Sequence, residues 1–315
     1  MQARPIVDCL VVGAGPAGLT AGLYLRRFLR DVVIVDAGNS RAKRIPESNN
    51  YPGFPHGING EALLARLREQ LAHAQGSVLT GTVDALRTAA DRFVAEVGTQ
   101  EIASRTVVLA TGVCNLEPAL EGIDAVRRDG LLRQCPVCDA YEFAGKRMVV
   151  IGGDRHCVRE ALFLRDFTDD ITVLGTAPDA RISGEQRRDL ERSGIASNDA
   201  YAVAVMECDD KGIALRLSDS TVHRFDVLYS AMGTQPQSEL ARQLGARLDE
   251  AGNVVVDAHC ETNVSGFYAV GDIVSALDQL AVAAGHAAIA ATAIHNRLRN
   301  ARGDVATRAP ARAAR

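Results

Sequence analysis

The segment Arg133-Gln-Cys135-Pro-Val-Cys138-Asp139 contains the residue types in this sequence that are best suited to chemistry. Two cysteines at this spacing lie close enough to form a disulfide, and a helix that starts here favours thiolate over thiol. Pro136 restricts the backbone between the two thiols, and Asp139 is placed to relay a proton as the dithiol opens and closes. The segment therefore predicts a redox-active dithiol.

Two other interpretations of this cysteine pair remain open. It could be half of a zinc site, although no second Cys or His pair follows at zinc-finger spacing. It could also be two buried, inert thiols, because free cysteine is a common core residue. The other cysteines, Cys9, Cys114, Cys157, Cys208 and Cys260, are expected to be small core or surface residues, with a place near the redox centre as the alternative for Cys114.

A glycine motif near the start of the chain predicts dinucleotide binding. Gly13-Ala-Gly-Pro-Ala-Gly18 follows an apolar strand and precedes an apolar helix, Leu19–Phe28. A second strand, Val32–Val35, ends at Asp36, at about the spacing of a ribose-binding acid. Gly13 allows the turn, Gly15 lets the backbone approach a pyrophosphate, and Gly18 lets helix and strand pack closely, while the helix N-terminus stabilises the negative charge.

The elements that must position these motifs alternate between strands and helices. A second strand, turn and helix begins at Met148 and predicts a second nucleotide-type unit inserted into the first. The sequence therefore predicts an α/β fold with two Rossmann-like domains. Their expected bounds are 1–115 with 246–300 for the first, discontinuous domain and 116–245 for the inserted domain, followed by a tail at 301–315. Further predicted elements are a helix at Glu61–Ala72, strands at Phe93–Val97, Arg105–Leu109, Ile171–Leu174, Asn253–Val256 and Phe267–Val270, and a helix at Leu280–Ile294.

Composition excludes several classes of function. The net charge is −4 and only 4% of the residues are aromatic, so neither a basic stripe nor a nucleic-acid partner is expected. No window reaches ~18 uninterrupted apolar residues, and the N-terminus runs directly into a strand instead of a signal peptide. We therefore predict a cytoplasmic protein that has no membrane partner.

Five segments in order resemble the low-molecular-weight thioredoxin reductase family over nearly the whole chain. They are GAGPAG at Gly13–Gly18, NYPGFP at Asn50–Pro55, LATG at Leu109–Gly112, CPVCD at Cys135–Asp139 and GFYAVGDI at Gly266–Ile273. The resemblance implies bound FAD, a dithiol that exchanges electrons with the flavin, and a homodimer.

The resemblance also implies roles for individual residues. Cys138 would face the flavin, Cys135 would exchange with the substrate, and Asp139 matches the family's proton donor. Asp272 would contact the flavin ribitol and Gln279 would lie near the ring. The full set of implied FAD-binding residues is Gly13, Gly15, Pro16, Ala17, Gly18, Asp36, Ala37, Asn50, Thr111, Gly112, Gly271, Asp272, Gln279 and Leu280. His286, at the start of the last helix, is either a catalytic base or a packed histidine.

The sequence departs from the family at its NADPH site. In Gly152-Gly153-Asp154-Arg155-His156-Cys157 the second motif glycine is replaced by Asp154, which adds bulk and a carboxylate where the pyrophosphate should approach. At ~4 Å, two like charges repel by about 1 kcal/mol in water. Arg155 or Arg159 could neutralise Asp154 and preserve a weakened site.

The basic cluster that reads the 2′-phosphate of NADPH is also reduced. Gly175-Thr176-Ala177 stands where the family has basic residues, and only Arg181 matches the last of them. Asp179 lies too late after the strand to indicate a switch to NAD.

These departures make NADPH a doubtful cofactor and predict a disulfide oxidoreductase that works without it. The resemblance extends to a branch of the family that closes disulfides in small natural products. The expected partner is a thioredoxin-like protein or a small-molecule dithiol or disulfide, with oxygen or another acceptor taking the electrons. The alternatives are a conventional NADPH-dependent thioredoxin reductase, an enzyme reduced by a protein such as a ferredoxin, and a flavin redox sensor without turnover.

Overall fold

The computed structural model describes residues 6–177, 182–209, 212–274 and 277–301, so Asp179, Arg181 and the predicted tail after Ala301 lie outside the described residues. The chain divides into two compact units. The first contains Met1–Ile45, Asn59–Val113 and Pro236–Arg315, and the second contains Pro46–Ile58 and Cys114–Gln235. Residues 236–245, which we predicted to end the inserted domain, belong to the first unit by this division. The predicted domain boundaries remain a prediction.

Both units contain strands and helices. The strands are β1 (Val7–Val12), β2 (Val32–Asp36), β3 (Val78–Thr80), β4 (Ala85–Ala89), β5 (Arg92–Val97), β6 (Gln100–Leu109), β7 (Val113–Asn115), β8 (Leu132–Arg133), β9 (Met148–Ile151), β10 (Ile171–Leu174), β11 (Ala196–Ser197), β12 (Ala202–Asp209), β13 (Gly212–Leu217), β14 (Val222–Phe225), β15 (Val227–Ser230), β16 (Thr234–Pro236) and β17 (Phe267–Ala269). The α-helices are α1 (Pro16–Arg27), α2 (Gly60–His73), α3 (Ile123–Arg128), α4 (Pro136–Asp139), α5 (Arg155–Leu164), α6 (Gly184–Arg192), α7 (Glu239–Gln243) and α8 (Leu280–Ala301), with short 3₁₀ helices at Arg41–Arg44 and Gly271–Ile273.

The main sheet of the first unit has the strand order β3-β2-β1-β6-β5-β4, and β17 also pairs with β6. The strands β2, β1, β6 and β17 run parallel, and Val12 is in register with both Val35 and Leu109. Their carboxyl ends therefore lie at one edge of the sheet, which is where ligands bind in parallel α/β sheets.

Both faces of this sheet are buried. On β1, Cys9 and Val11 pack into an apolar cluster with α1 and α8, whereas Leu10 and Val12 pack into a second cluster on the opposite face. Because side chains alternate along a strand, a run of apolar residues such as this one suits a strand that is covered on both sides.

The second unit repeats this arrangement around a parallel sheet with the order β11-β10-β9-β15-β8. On β9, Met148 and Val150 pack into the cluster that contains residues of α5. Val149 and Ile151 face a cluster that contains residues of the antiparallel sheet β12-β13-β14. The predicted fold class, α/β with two Rossmann-like units, is thereby confirmed.

Several predicted elements differ in detail from the observed ones. The first helix begins at Pro16, before the predicted Leu19, because proline at the first helical position has a suitable φ and needs no N–H partner. The predicted strand Asn253–Val256 forms only isolated bridges, from Val254 to Leu248 and Val274. Within residues 6–177, 182–209, 212–274 and 277–301, none of the helices is long and apolar enough to cross a membrane.

Candidate active site

The first glycine turn leaves no room for side chains at two of its positions. Gly13 has φ +100°, and a Cβ there would lie 2.5 Å from the carbonyl oxygen of Ala110. A Cβ on Gly18 would lie 1.9 Å from the carbonyl oxygen of Gly13. The Gly13 N–H donates to the Val35 carbonyl at 2.8 Å, which fixes the turn against β2. These two glycines are therefore required by the fold itself.

Gly15 differs from these two glycines in the space around it. A Cβ at this position would meet only the Ser40 hydroxyl oxygen, at 3.2 Å. Gly15 is also the N-cap of α1, so no side chain caps this helix, and its first turn has no acidic residue. The N–H groups at the start of α1 thus remain available to an anion, which the helix dipole would stabilise.

Asp36 lies at the end of β2 beside this turn. Its Oδ1 accepts the Ala14 N–H at 2.9 Å, and its Oδ2 lies 3.3 Å from a guanidinium nitrogen of Arg68. Each carboxylate oxygen has two lone pairs, so Asp36 retains the capacity to accept hydrogen bonds from ribose hydroxyls. Ala37 follows it directly, after the strand.

The segment Gly266–Ile273 packs beside the same glycine turn. Gly271 has φ +78°, and a Cβ there would lie 2.9 Å from the Cβ of Ala17. Arg41 contacts the carboxylates of Asp272 and Asp278, each at 2.9 Å. Burial raises the pKa of Asp278, Asp272 raises it further, and Arg41 opposes both effects. Arg41 had no signal in the sequence, because its partners lie 231 and 237 positions away.

Other predicted cofactor residues have distinct partners. The Thr111 hydroxyl donates to the Gln237 carbonyl at 2.8 Å, and the Gly112 carbonyl accepts the Gln237 N–H at 3.0 Å. Gln279 and Leu280 stand at the start of α8, where the Gln279 carbonyl accepts the Ala283 N–H at 2.9 Å. The remaining predicted residue, Asn50, belongs to the second unit, where its amide nitrogen lies 3.4 Å from the Val137 carbonyl.

The residues of the first unit fit FAD. The uncapped start of α1 suits a pyrophosphate, the space over Gly15 suits its close approach, and Asp36 suits a ribose.

His286 lies on α8 and is half-buried; its Nδ1 is buried and has no partner among the described residues. Burial lowers the pKa of His286, and the charge of Asp272 opposes this shift.

The cysteine motif lies in the second unit, where Cys135 and Cys138 form a disulfide. Cys135 is the N-cap of the short helix α4, and the Cys138 N–H donates to the Cys135 carbonyl at 2.9 Å. Pro136 starts the helix and is buried. The pair is thus held in the oxidised form of the predicted redox-active dithiol.

Asp139, directly after Cys138, has two polar partners. The Tyr229 hydroxyl donates to its Oδ1 at 2.9 Å, and a guanidinium nitrogen of Arg133 lies 3.4 Å from its Oδ2. Burial raises the pKa of Asp139 to about 6, although Arg133 and Tyr229 lower it; the charge of Glu142 adds to the rise. A carboxyl group with a pKa near neutrality suits proton exchange with a dithiol. Neither Arg133 nor Tyr229 was predicted to have a role; Tyr229 lies 90 positions from Asp139, so no local pattern links the two residues.

In the second glycine turn, at Gly152–Cys157, the Asp154 carboxylate caps the start of the following helix. Asp154 is the N-cap of α5, and its Oδ1 accepts the Cys157 N–H at 3.0 Å. No ion pair joins Asp154 to Arg155 or Arg159 in the described part of the chain, and His156 instead contacts Glu160 at 2.9 Å. The helix start that would stabilise the negative charge of a pyrophosphate therefore already holds a carboxylate, that of Asp154.

Substitutions at Asp154 should show how much the cap stabilises the protein. Asp154→Ala is expected to lower the free energy of unfolding by about 1 kcal/mol, whereas Asp154→Gly should lower it by only a few tenths. Asp154→Asn retains a capping oxygen and should match the wild type. Urea unfolding followed by circular dichroism measures these differences. Equal stability of the alanine variant and the wild type would contradict the cap.

An arginine on α6, the helix that follows β10, is also paired with an acidic side chain of the same chain. Arg187 lines a small pocket with Gly175 and Ala177. Its guanidinium lies 2.5 Å from a carboxylate oxygen of Asp199 and 3.2 Å from the Ser197 hydroxyl. The positive charge that could read a 2′-phosphate from this helix is therefore paired with a carboxylate.

The remaining cysteines differ in exposure. Cys9, Cys157 and Cys260 are buried, Cys208 is partly exposed, and Cys114 is exposed. Burial raises the pKa of Cys9 and Cys157 to about 12, and that of Cys208 and Cys260 to about 11. These four thiols are poor nucleophiles at neutral pH, as expected of structural cysteines.

Comparisons with known proteins agree with this arrangement. Residues 7–288 match the model of the pyridine nucleotide-disulphide oxidoreductase family. Thioredoxin reductase of Mycolicibacterium smegmatis is 29% identical over 92% of this chain and 95% of its own length. The crystal structure of HlmI has 25% identity, a TM-score of 0.85 and 95% coverage of both chains. Thioredoxin reductase from Streptococcus pyogenes has 24% identity, a TM-score of 0.86, and coverage of 95% of this chain and 100% of that one, which supports the fold.

The chain belongs to the pyridine nucleotide-disulphide oxidoreductase family, within its low-molecular-weight thioredoxin reductase group. It is an FAD-dependent disulfide oxidoreductase, as the sequence predicted. The individual site residues stay predictions.

Proposed function

We propose that this protein is a dithiol oxidase that passes electrons from a substrate dithiol through Cys135 and Cys138 to FAD and works without NADPH. The observation that carries the proposal is the bond between the Asp154 carboxylate and the Cys157 N–H, at 3.0 Å. A nicotinamide dinucleotide would have to displace this carboxylate or place its pyrophosphate beside it. The paired Arg187 and Asp199 give a second, independent reason for weak binding.

The chemistry begins at the disulfide. A substrate thiolate attacks Cys135, which forms a mixed disulfide and releases Cys138 as a thiolate. The second substrate thiolate then attacks the substrate sulfur of the mixed disulfide, which releases Cys135. The substrate leaves as a disulfide, and its two electrons now reside on the reduced cysteine pair.

The reduced pair must then be reoxidised. Bound FAD supplies a two-electron acceptor that can be reoxidised by oxygen or by another acceptor. The chain's own residues supply the thiolates and, through Asp139, a group that accepts and returns a proton. Thioredoxin-like proteins and small-molecule dithiols are both candidate substrates, and the homodimer and the cytoplasmic location stay predictions.

An anaerobic titration of the FAD-loaded protein tests the proposal. Dithiothreitol should bleach the flavin absorbance within seconds, whereas NADPH at the same concentration should leave it unchanged for minutes. The physical reason is that the cysteine pair is accessible to a thiolate, but the pyrophosphate meets the carboxylate of Asp154. Rapid bleaching by NADPH alone would show that the proposal is wrong.

The Asp154→Gly variant sharpens this titration. It removes the carboxylate and restores a glycine with little loss of stability. We expect NADPH to bleach the variant at least about tenfold faster than the wild type, because removal of a like-charge repulsion of about 1 kcal/mol adds to the gain in space. An equal rate in both proteins would show that Asp154 does not control nucleotide binding.

A conventional NADPH-dependent thioredoxin reductase is the second candidate. It is favoured by the similarity to the Mycolicibacterium smegmatis thioredoxin reductase over 92% of the chain. Steady turnover with NADPH and thioredoxin would support it. Bleaching by dithiol without any later consumption of oxygen, or of another acceptor, would instead indicate a redox sensor.

A further inference from the structure

Two neighbouring strands of the second unit place polar side chains beside the cysteine motif. β15 pairs with β8 in parallel, and Tyr229 is in direct register with Arg133. Directly opposed residues of neighbouring strands point to the same face of a sheet. Both side chains contact Asp139, which is far from Tyr229 in the sequence, with 90 positions between them.

These contacts lie in a buried setting. Tyr229 is fully buried, and the side chains of Arg133 and Asp139 are 15% and 14% exposed. The guanidinium carbon of Arg133 lies 5.0 Å from the ring centroid of Phe143, which holds the group in place by a cation–π contact. Each carboxyl oxygen of Asp139 thus has its own partner, Tyr229 on one and Arg133 on the other.

We propose that Arg133 and Tyr229 are positioning residues that orient the Asp139 carboxyl next to Cys138 and stabilise its ionised form for proton exchange with the dithiol. The inference rests on the proposed redox role of Cys135 and Cys138. It concerns how the carboxyl group of Asp139 is held, which depends on two side chains outside the segment Cys135–Asp139.

The reaction releases and consumes protons, and the Asp139 carboxylate held in this way can transfer one of them. A substrate dithiol that reduces the Cys135–Cys138 disulfide loses two protons and two electrons and becomes a disulfide. The two electrons go to the cysteine sulfurs. The Asp139 carboxylate accepts one proton released by the substrate and delivers it to the reduced pair, while water takes or returns the other.

The groups that face Asp139 act in opposite directions. Arg133 from β8 and Tyr229 from β15 favour the carboxylate, whereas burial and the charge of Glu142, which follows α4, favour the neutral acid. Tyr229→Phe removes a hydrogen bond to the ionised form. The pKa of Asp139 should therefore rise from about 6, because the carboxylate loses stabilisation and the neutral acid does not.

The test compares the pH dependence of dithiol-driven flavin reduction in wild type and in Tyr229→Phe. Fast anaerobic mixing with dithiothreitol between pH 5 and 8 gives the rates. We expect the midpoint of the Asp139 ionisation to move up by about one pH unit in the variant, because a hydrogen bond to a charged group has about this effect. Asp139→Asn should have no such midpoint. Tyr24→Phe, on α1 of the first unit, is the matched control and should retain the wild-type profile.

A second measurement is independent of catalysis. The infrared band of the protonated carboxyl group, taken as a pH difference against Asp139→Asn, titrates Asp139 directly. Its midpoint should rise by the same amount in Tyr229→Phe. An unmoved midpoint would show that Tyr229 does not stabilise the carboxylate and would overturn the inference. Absence of flavin reduction by dithiothreitol in the wild type would instead contradict the proposed function, while the infrared titration would still decide the role of Tyr229.

Discussion

Replacing Cys138 with serine is expected to lower the rate of flavin reduction by dithiothreitol by at least about 10³-fold. A serine hydroxyl cannot form a disulfide, so the substrate thiolate has no sulfur–sulfur bond to attack. Cys135→Ser should have the same effect. The flavin content should be unchanged, because the glycine turn that fits FAD lies in the other unit. Anaerobic absorbance traces and the ratio of flavin to protein measure both quantities.

The matched control for this prediction is Cys114→Ser. Cys114 is an exposed cysteine outside the disulfide, so its loss should leave the rate unchanged. If Cys138→Ser bleaches as fast as the wild type, electrons enter the flavin directly, and the cysteine pair is not the redox centre.

The second large effect is expected at Gly15. Gly15→Ala should lower FAD content at least about tenfold while the fold is retained. The added methyl group meets only the Ser40 hydroxyl, at 3.2 Å, so the protein can accommodate it. A bound pyrophosphate requires close approach of this backbone, which the methyl group prevents. Flavin absorbance per protein gives the FAD content, and circular dichroism gives the fold.

Two further glycines make this prediction specific. Gly184→Ala adds a methyl group at the start of α6, 3.8 Å from a guanidinium nitrogen of Arg188, and should not alter FAD content. Gly18→Ala places a Cβ 1.9 Å from a carbonyl oxygen and should disrupt folding itself. Normal FAD content in Gly15→Ala would show that the cofactor does not approach this turn.

Much of the fold could be predicted from local sequence patterns. The strand β1, the turn at Gly13 and the helix α1 are contiguous, and their glycine spacing and apolar runs reflect contacts made within about 20 residues. The predicted strand at Asn253–Val256 failed for the opposite reason. A short apolar run fits a strand, but Val254 found bridge partners only at Leu248 and Val274, so no ladder formed.

The two glycine turns show which features of the sites could be predicted from the sequence and which could not. Asp154 in place of a glycine was visible, and so was the charge it introduces. Whether Arg155 or Arg159 would neutralise that charge depended on side-chain geometry. In the structure the Asp154 carboxylate caps the helix by accepting the Cys157 N–H, because a short carboxylate at the N-cap can satisfy an otherwise unpaired donor.

By itself, the sequence determined the class of fold, the family, the cysteine pair with its neighbouring acid, and the open first turn. Each of these depends on residues close together along the chain. Only the tertiary structure decided that Tyr229 and Arg133 hold Asp139, and that Arg41 holds Asp272 and Asp278. Most of these partners are joined by strand pairing and chain reversal over 90 or more positions, and such contacts leave no local pattern to read.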